Sequence, residues 1–474
     1  MVKELKIINR YTKLVRNSLT FAIGNFGSKF ISILLVPLYT YVLSSADYGK
    51  IDLVITTTNL VLPIFFLSIT EAILRFSIDD TNNLKNTLSS GLLLTFVLSV
   101  IAGIFYPFII QLIPNVDIRM FKYLLIILVL QQCQSLISQF TRARGEVLTY
   151  SINGILFTLI TVLFNIVFLV ILKLGIDGYF YSIIIANLFS IVFLSTKMRI
   201  INYIEFKSVT SLHLKEMLRY SIPLIPNMVM WWVVNSSTRY FILYFNGTSE
   251  NGLYAVASKL PALITMLAAI FSQAWQLSSV EEYKSKDREI FFSKTFTVYS
   301  MLMMISSSAL LIVLKPIMLI FIESSYFRSW TFVPPLVLAA VYSSFAGFIG
   351  TTYTAAKKTS GIFYSSIAGG IISILVSYFL IPTYGGVGAG ISSLIGFVVI
   401  YLYRLKDTRK FISIKIDRKF FLFANVIYMF QWIALYISNN ITMFSLQLLL
   451  FFLLLFISRN KIYYYFNLIK KNRR

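Results

Sequence analysis

Acidic residues are scarce in this chain: 19 Asp and Glu stand against 42 Lys and Arg, a formal net charge of +23. Charge of either sign is also sparse, at 13% of 474 residues, where a soluble protein carries about 25%. Cys133 is the only cysteine, so an intramolecular disulfide is excluded and pairing says nothing of redox compartment. His213 is the only histidine, and no spacing of metal-ligand residues or P-loop-type glycines occurs. No metal and no cofactor is therefore expected, and an ATP-driven pump would need its nucleotide domain on another chain. Long polar stretches are missing as well. The longest polar-leaning run is 197–219, so a soluble domain has no room and nucleic acid has no soluble basic face to meet.

What the chain does have is apolar sequence, 57% of it, with a mean hydropathy of +0.78. Apolar runs close to the roughly 20 residues that cross a bilayer recur from end to end. They predict an all-α polytopic membrane protein with about fourteen spans, at 17–43, 50–76, 87–113, 121–141, 147–172, 178–196, 220–245, 253–280, 291–321, 330–355, 360–381, 386–403, 419–437 and 441–458. Residues 1–16 are basic and mildly amphipathic, and the run after them is too long for the apolar core of a signal peptide. Most Lys and Arg fall in 1–16, 142–146, 197–219, 281–294, 357–358, 404–419 and 459–474. The opposite turns near 44–49, 245–252, 382–386 and 438–441 hold none. The positive-inside rule then puts both termini in the cytoplasm.

An internal repeat organises the spans. At an offset of 203 residues Ser18 meets Ser221, and Asp47-Tyr48-Gly49 meets Glu250-Asn251-Gly252. Further on, Thr141-Arg142-Ala143-Arg144 matches Thr354-Ala355-Ala356-Lys357, and Tyr150-Ser151 matches Tyr364-Ser365. Gly175-Ile176-Asp177-Gly178 matches Gly385-Gly386-Val387-Gly388. Each copy is six spans, so both copies keep one orientation. Parallel repeats of this kind are a transporter architecture with the substrate site between the halves. The expected organisation is an amphipathic cytoplasmic segment (1–16), an N-lobe of helices one to six (17–196) and a cytoplasmic linker (197–219). A C-lobe of helices seven to twelve (220–403), a basic linker (404–418), helices thirteen and fourteen (419–458) and a basic cytoplasmic tail (459–474) follow. The last two helices lie outside the repeat, as a peripheral packing pair or a lipid-facing groove.

Cations inside spans are the candidate chemistry, because charge in hydrocarbon is costly and by default faces protein or a wet cavity. Lys29 is mid-span, and Arg239 and Lys259 lie nearer the outer ends of spans seven and eight, where snorkelling competes as an explanation. As a lining they suit phosphate: Arg grips oxygens bidentately and Lys acts as a point charge. Arg142, Arg144, Lys357 and Lys358 take equivalent places in the two copies, as positive-inside anchors or as a basic cytoplasmic vestibule. Glu71 and Arg75, at i and i+4, suit a structural pair; the other reading is a gate or a site for a coupling proton or sodium ion. Trp231, Trp232, Asn235, Trp275 and Gln276 could contact sugars, against the ordinary reading of belt and packing aromatics. Pro37, Pro63, Pro223, Pro226 and Pro261 interrupt spans one, two, seven and eight and can open a cavity wall.

Tyr48-Gly49 after the first long span, Ser221-Ile222-Pro223-Leu224-Ile225-Pro226, Ser237-Thr238-Arg239-Tyr240 and the run Gly252 to Leu260 together resemble bacterial polysaccharide exporters. These are the Wzx-type lipid-linked oligosaccharide flippases of the multidrug/oligosaccharidyl-lipid/polysaccharide exporter superfamily. The resemblance covers about 14–405 and is most specific over 221–281. It implies two six-helix lobes around a central cavity, in a bacterial plasma membrane. It implies alternating access that moves an undecaprenyl-diphosphate-linked repeat unit to the outer leaflet for surface polysaccharide such as O-antigen or capsule. It implies coupling to an ion gradient, and polysaccharide polymerase machinery is a further expected partner. The chain departs from the family at Thr238, where members often carry Asp before the Arg. Two other readings remain at this point. A cation-coupled multidrug antiporter on the same fold would need acids inside the lobes, where Glu71 is nearly alone. A polytopic polymerase, ligase or acyltransferase would need a large outer loop or a well-placed His.

Overall fold

In a computed structural model, the structure describes residues 31–471 apart from 32, 81, 113–117, 284, 357 and 359. The chain is a polytopic, all-helical membrane protein. Among the described residues eight helices are long and apolar enough to cross a membrane, and ten if each of two bent pairs is one span. Expected spans three to six, nine, ten and fourteen each map onto one of these helices, and eleven and twelve are fused into one. The second is one bent pair, and the seventh and eighth fall in the other. The thirteenth is a 17-residue helix outside that count, and the first lies mostly outside the described residues. The chain forms two compact units, the first ending at Trp232 and the second beginning at Val233.

The first unit contains α1 (Ile33–Val42), α2 (Ser45–Phe65), α3 (Ile69–Asp79), α4 (Leu84–Leu112), α5 (Ile118–Ala143), α6 (Val147–Asn165), α7 (Gly175–Lys197), α8 (Ser211–Ser221) and most of α9 (Ile225–Ser236). Ser44 starts α2 as its N-cap: its hydroxyl accepts from the Asp47 N–H, which satisfies one of the orphan donors of the first turn. Pro63 ends regular hydrogen bonding near the other end. Leu67 and Ser68 then take left-handed backbone, and α3 leaves at 57° to α2. The second span is therefore a broken helix. Ile69, Ala72 and Ile73 of α3 pack with Leu136, Ile137 and Phe140 of α5 and with Met217 of α8.

That packing decides where the linker belongs. The segment 197–219 is docked on the first unit rather than suspended after it. Lys85 pairs with Glu205 at 2.8 Å, His213 meets the Thr87 hydroxyl at 2.9 Å, and the His213 ring stands edge-on to Phe76. The unit consequently closes inside α9, beyond the linker.

The second unit contains the end of α9, then α10 (Thr238–Ala257), α11 (Pro261–Glu282), α12 (Arg288–Phe321), α13 (Val333–Ala355), α14 (Ser360–Asp407), α15 (Arg418–Ala434) and α16 (Asn440–Lys471). The helix α13 is buried along nearly all its length. α14 holds two expected spans, bent where Gly385 takes φ +51°. Its counterpart in the first unit, Gly175, has φ +58° at the start of α7. The left-handed turn that favours glycine recurs at the position where the sequence repeat aligned the two motifs. The first turn of the repeat agrees as well: Ser44 breaks the chain between α1 and α2, and Gly247, 203 residues on, breaks α10 with φ +86°. Polar side chains fasten α15 and α16 to α12. Ser308 donates to Gln431 at 2.7 Å, and Gln447 donates to the Gln431 carbonyl at 2.7 Å. Amide and hydroxyl pairs of this kind hold helices together where hydrocarbon offers no competing water.

Candidate substrate-binding site

The seventh span stays helical through Ser237, the eighth is bent between Ala257 and Pro261, and a cation stands near each of these points. α9 ends at Ser236 and α10 begins at Thr238. α10 ends at Ala257, and Ser258, Lys259 and Leu260 precede Pro261, which starts α11 at 43° to the preceding helix. Arg239, one residue into α10, donates to the Asn235 carbonyl and to the Ser258 hydroxyl, both at 3.4 Å. Its guanidinium lies 5.4 Å from the centroid of the Tyr254 ring, and the Tyr254 hydroxyl meets Thr238 at 3.2 Å. Thr238, which replaces the acid common in the resembling family, is thus held by an aromatic hydroxyl. Lys259 follows Ser258 directly in the chain, between α10 and α11. Irregular backbone at membrane depth persists where it is buried in protein or lines a wet cavity, and half-helix ends are where transporters hold ligands. Both cations are half-buried.

The other expected residues are distributed more widely. Lys29 and Lys357 lie outside the described residues. Arg142 and Arg144 are exposed beside the Gly145 turn, Arg144 donating to the Tyr203 hydroxyl at 3.4 Å, and Lys358 is exposed just beyond α13. The expected Glu71–Arg75 pair is corrected: Arg75 bonds Asp79 at 2.8 Å, one turn further on. The reason is the break before α3. It puts Glu71 in the first helical turn, where the dipole favours an acid, and Arg75 near the other end. Among the aromatics, Trp231 is 36% exposed, while the Trp232 indole N–H donates to the Thr56 carbonyl at 3.0 Å. Trp275 is corrected as a sugar contact. It is 3% exposed, stacks on Phe348 at 4.4 Å and donates to the Thr351 hydroxyl at 2.8 Å, so both its face and its polar edge are used inside the protein. Asn235 and Gln276 are exposed.

Three polar features escaped the sequence reading. Arg404, read as part of a basic linker, is 2% exposed. It donates to the Ser365 hydroxyl at 2.9 Å, the Ala346 carbonyl at 2.8 Å and the Ser366 hydroxyl at 3.4 Å. Gly350 makes room for it: a Cβ there would stand 2.8 Å from the guanidinium. Glu250, read as part of a polar loop, is 8% exposed. It accepts from the Gly386 N–H at 3.2 Å, with Arg328 at 3.6 Å, and so ties the turn in α10 to the bend in α14. The third feature is a cavity of about 200 Å³ between α5 and α6, lined by Gln134, Ser138, Gln139, Ser151 and Asn153 among others. The Gln139 carbonyl oxygen and the Ser151 hydroxyl are buried there with no hydrogen-bond partner. Its signal was legible in principle, as hydroxyl and amide residues recurring in two adjacent apolar spans.

The chain has the build of a polytopic helical membrane protein with half-buried cations inside two of its expected spans. Comparison with known proteins gives it the fold of membrane transporters and a flippase. The chain aligns with the lipid II flippase MurJ in an inward closed conformation at a TM-score of 0.72 and 16% identity, over 95% of this chain and 100% of that one. It aligns with a multidrug resistance MATE family transporter of the MOP superfamily, inward-facing, at 0.61 and 14% identity, over 84% and 94%. A mutant of the Vibrio cholerae MATE transporter VcmN gives 0.59 and 12%, over 84% and 96%. These likenesses are to transporters and a flippase rather than to enzymes. No curated protein sequence matches the chain. Residues 14–276 match the family model described as polysaccharide biosynthesis protein, and the chain belongs to that family. The Wzx-type resemblance fits at the level of the family and the superfamily fold.

Proposed function

We propose that the protein is a flippase. It moves an undecaprenyl-diphosphate-linked oligosaccharide repeat unit from the inner to the outer leaflet of a bacterial plasma membrane, by alternating access, for surface polysaccharide synthesis. The observation that carries this reading is Arg239, a half-buried cation inside the seventh span that reaches the Ser258 hydroxyl, with Lys259 next in the chain at the bend of the eighth. A diphosphate cannot enter hydrocarbon unaided, and cations inside the spans offset its desolvation. Two of the hydrogen bonds of Arg239, at 3.4 Å, are long enough to suit exchange for a phosphate oxygen, since charge-assisted bonds run nearer 2.7–2.9 Å. Membership of a polysaccharide biosynthesis family and the fold shared with a lipid II flippase support the lipid-linked sugar. In the first unit, the amide- and hydroxyl-lined cavity between α5 and α6 is a surface suited to sugar hydroxyls. Lys29 is proposed as a third diphosphate contact, and Glu71 with Arg75 as the gate or the coupling-ion site.

The test is glycan export in cells, measured beside membrane abundance, for Lys29→Ala, Arg239→Ala and Lys259→Ala. The expected result is normal abundance and export lowered roughly 10- to 100-fold for Arg239→Ala, the loss expected when a hydrogen-bonded charge is removed. Normal export by all three variants would end the cationic mechanism. Coupling is tested in liposomes: transport is expected to fall when an ionophore collapses the proton or sodium gradient. An antiporter would instead transport cationic drugs and tolerate Arg239→Ala.

A further inference from the structure

A cavity in the second unit shares no lining residue with the surroundings of Arg239. It has a volume of about 790 Å³ and lies between the end of α14, the segment 411–417 and the start of α15. That is within the about 300–1,000 Å³ typical of small-molecule sites. Its lining has two characters. Leu405, Ile416 and Phe421 make an apolar floor, and Arg409, Lys415 and Arg418 make a basic rim.

The rim is built on fixed backbone. The segment 411–417 has no helical structure, yet its Ser413 N–H donates to Glu289 at 3.1 Å and its Lys415 N–H to the Ser293 hydroxyl at 2.8 Å. Ile412 and Ile414 are buried beneath it, and Asp417 caps α15 through the Phe420 N–H. The neighbouring acids have other occupations. Asp407 holds Lys410 at 2.7 Å and accepts from Tyr353, while Glu289 takes the Ser413 N–H. Among the described residues none of Arg409, Lys415 and Arg418 makes an ion pair, and all three side chains are exposed. Beside the floor, Leu402 is 53% and Leu422 63% exposed, so the cavity opens along an apolar outer surface rather than toward water.

We infer that this groove binds an anionic glycerophospholipid of the surrounding bilayer, its phosphate against Arg409, Lys415 and Arg418 and the upper part of its chains against the apolar floor. A soluble anion would use the rim and leave the floor idle, and a neutral lipid would do the reverse; only an anionic amphiphile uses both. On the proposed orientation the lipid comes from the cytoplasmic leaflet. The inference goes beyond the flippase reading and stands or falls separately from it, because its readout is lipid binding without transport.

The experiment uses full-length protein, delipidated in detergent and titrated with phosphatidylglycerol or phosphatidylcholine of the same acyl chains, with bound lipid counted by native mass spectrometry. Phosphatidylglycerol is expected to bind preferentially. The variant Arg409→Gln/Lys415→Gln/Arg418→Gln is expected to lose roughly fivefold in that preference per charge, on the order of a hundredfold in all. A control, Lys207→Gln/Lys215→Gln/Arg219→Gln, removes equal charge from the linker of the first unit and is expected to change nothing. Arg418→Gln alone, as the mildest variant, keeps the test usable if the triple variant is poorly folded, and its expected loss is the single fivefold step. Equal binding of both lipids, or equal loss in the control, would overturn the site. Displacement of phosphatidylglycerol by one equivalent of a synthetic polyprenyl diphosphate would overturn the assignment to a bilayer lipid in favour of the transported substrate.

Discussion

Two arginines of the second unit are held in opposite ways. Arg404 is fully enclosed, with two hydrogen bonds below 3 Å and a glycine clearing space for its guanidinium. Arg239 is half-buried near the start of α10, and two of its hydrogen bonds are 3.4 Å long. The first is a structural fastener between α13 and α14. The second has the geometry of a residue that trades partners. The same contrast runs along α11, which begins at the interruption beside Lys259 and continues into the aromatic packing around Trp275. Burial of a cation therefore does not by itself mark function in this protein, since the buried Arg404 is a fastener.

The contrast is broken first at Trp275. Trp275→Ala removes a buried indole stacked on Phe348, so a loss of about 3–5 kcal/mol of stability is expected. Trp231→Ala, at a 36% exposed position, should leave unfolding nearly unchanged. Thermal unfolding in detergent checks both, and equal effects would mean that exposure does not separate the two tryptophans. Arg404→Ala comes next. It leaves a void against Gly350 and a buried carbonyl at Ala346 with a partner lost, together about 2–4 kcal/mol. Less folded protein is the expected outcome, with export falling only in proportion. A variant of normal abundance that exports nothing would move Arg404 to the transport side and erase the distinction.

Arg239→Lys sharpens the comparison from the other side. A lysine keeps the charge and loses the planar fork, so partial export at full abundance is expected, roughly tenfold below the parent. Full export would show that a point charge suffices. Loss of abundance would show that Arg239 is a fastener like Arg404.

The overall architecture was legible because it rests on additive signals: apolar run length, basic turns and the order of repeated motifs. The left-handed glycines at 175 and 385 stand where the repeat placed them. The helix interruptions were only partly legible. Pro63 and Pro261 announce two of them, while the break at Gly247 inside α10 is announced by a glycine in a polar turn. Arg404 was misplaced because a cation at the end of an apolar run looks the same whether it snorkels or turns inward. What turns it inward is Gly350 and Ser365 on other stretches of sequence. Trp275 failed for a related reason: an indole in a span reads alike whether it faces a cavity or Phe348. Glu71 and Arg75 had the spacing of a pair, but Asp79 offered the same spacing at the exposed helix end.

The smallest expected effect tests whether the saturated kind of contact occurs in the first unit too. His213 in the linker is 8% exposed, with its ring nitrogen 2.9 Å from the Thr87 hydroxyl and its ring perpendicular to that of Phe76. Burial pushes its pKa below the ordinary value, with Glu216 and Asp80 opposing. The folded state therefore binds a proton less readily than the unfolded one. Stability contributed by the neutral ring is whole above the ordinary histidine pKa of about 6.5 and declines as pH falls from there toward the folded value. Glu205 behaves likewise lower down: the hydrogen bond from Lys85 holds its carboxyl below the usual range, so that contact weakens only in more acidic solution. Unfolding temperature measured from pH 7.5 to 5.5 should show a shallow decline in the parent and a flatter profile in His213→Gln. A parent profile that rises toward pH 5.5 would mean that His213 is charged in the folded protein, with Glu216 or Asp80 outweighing burial.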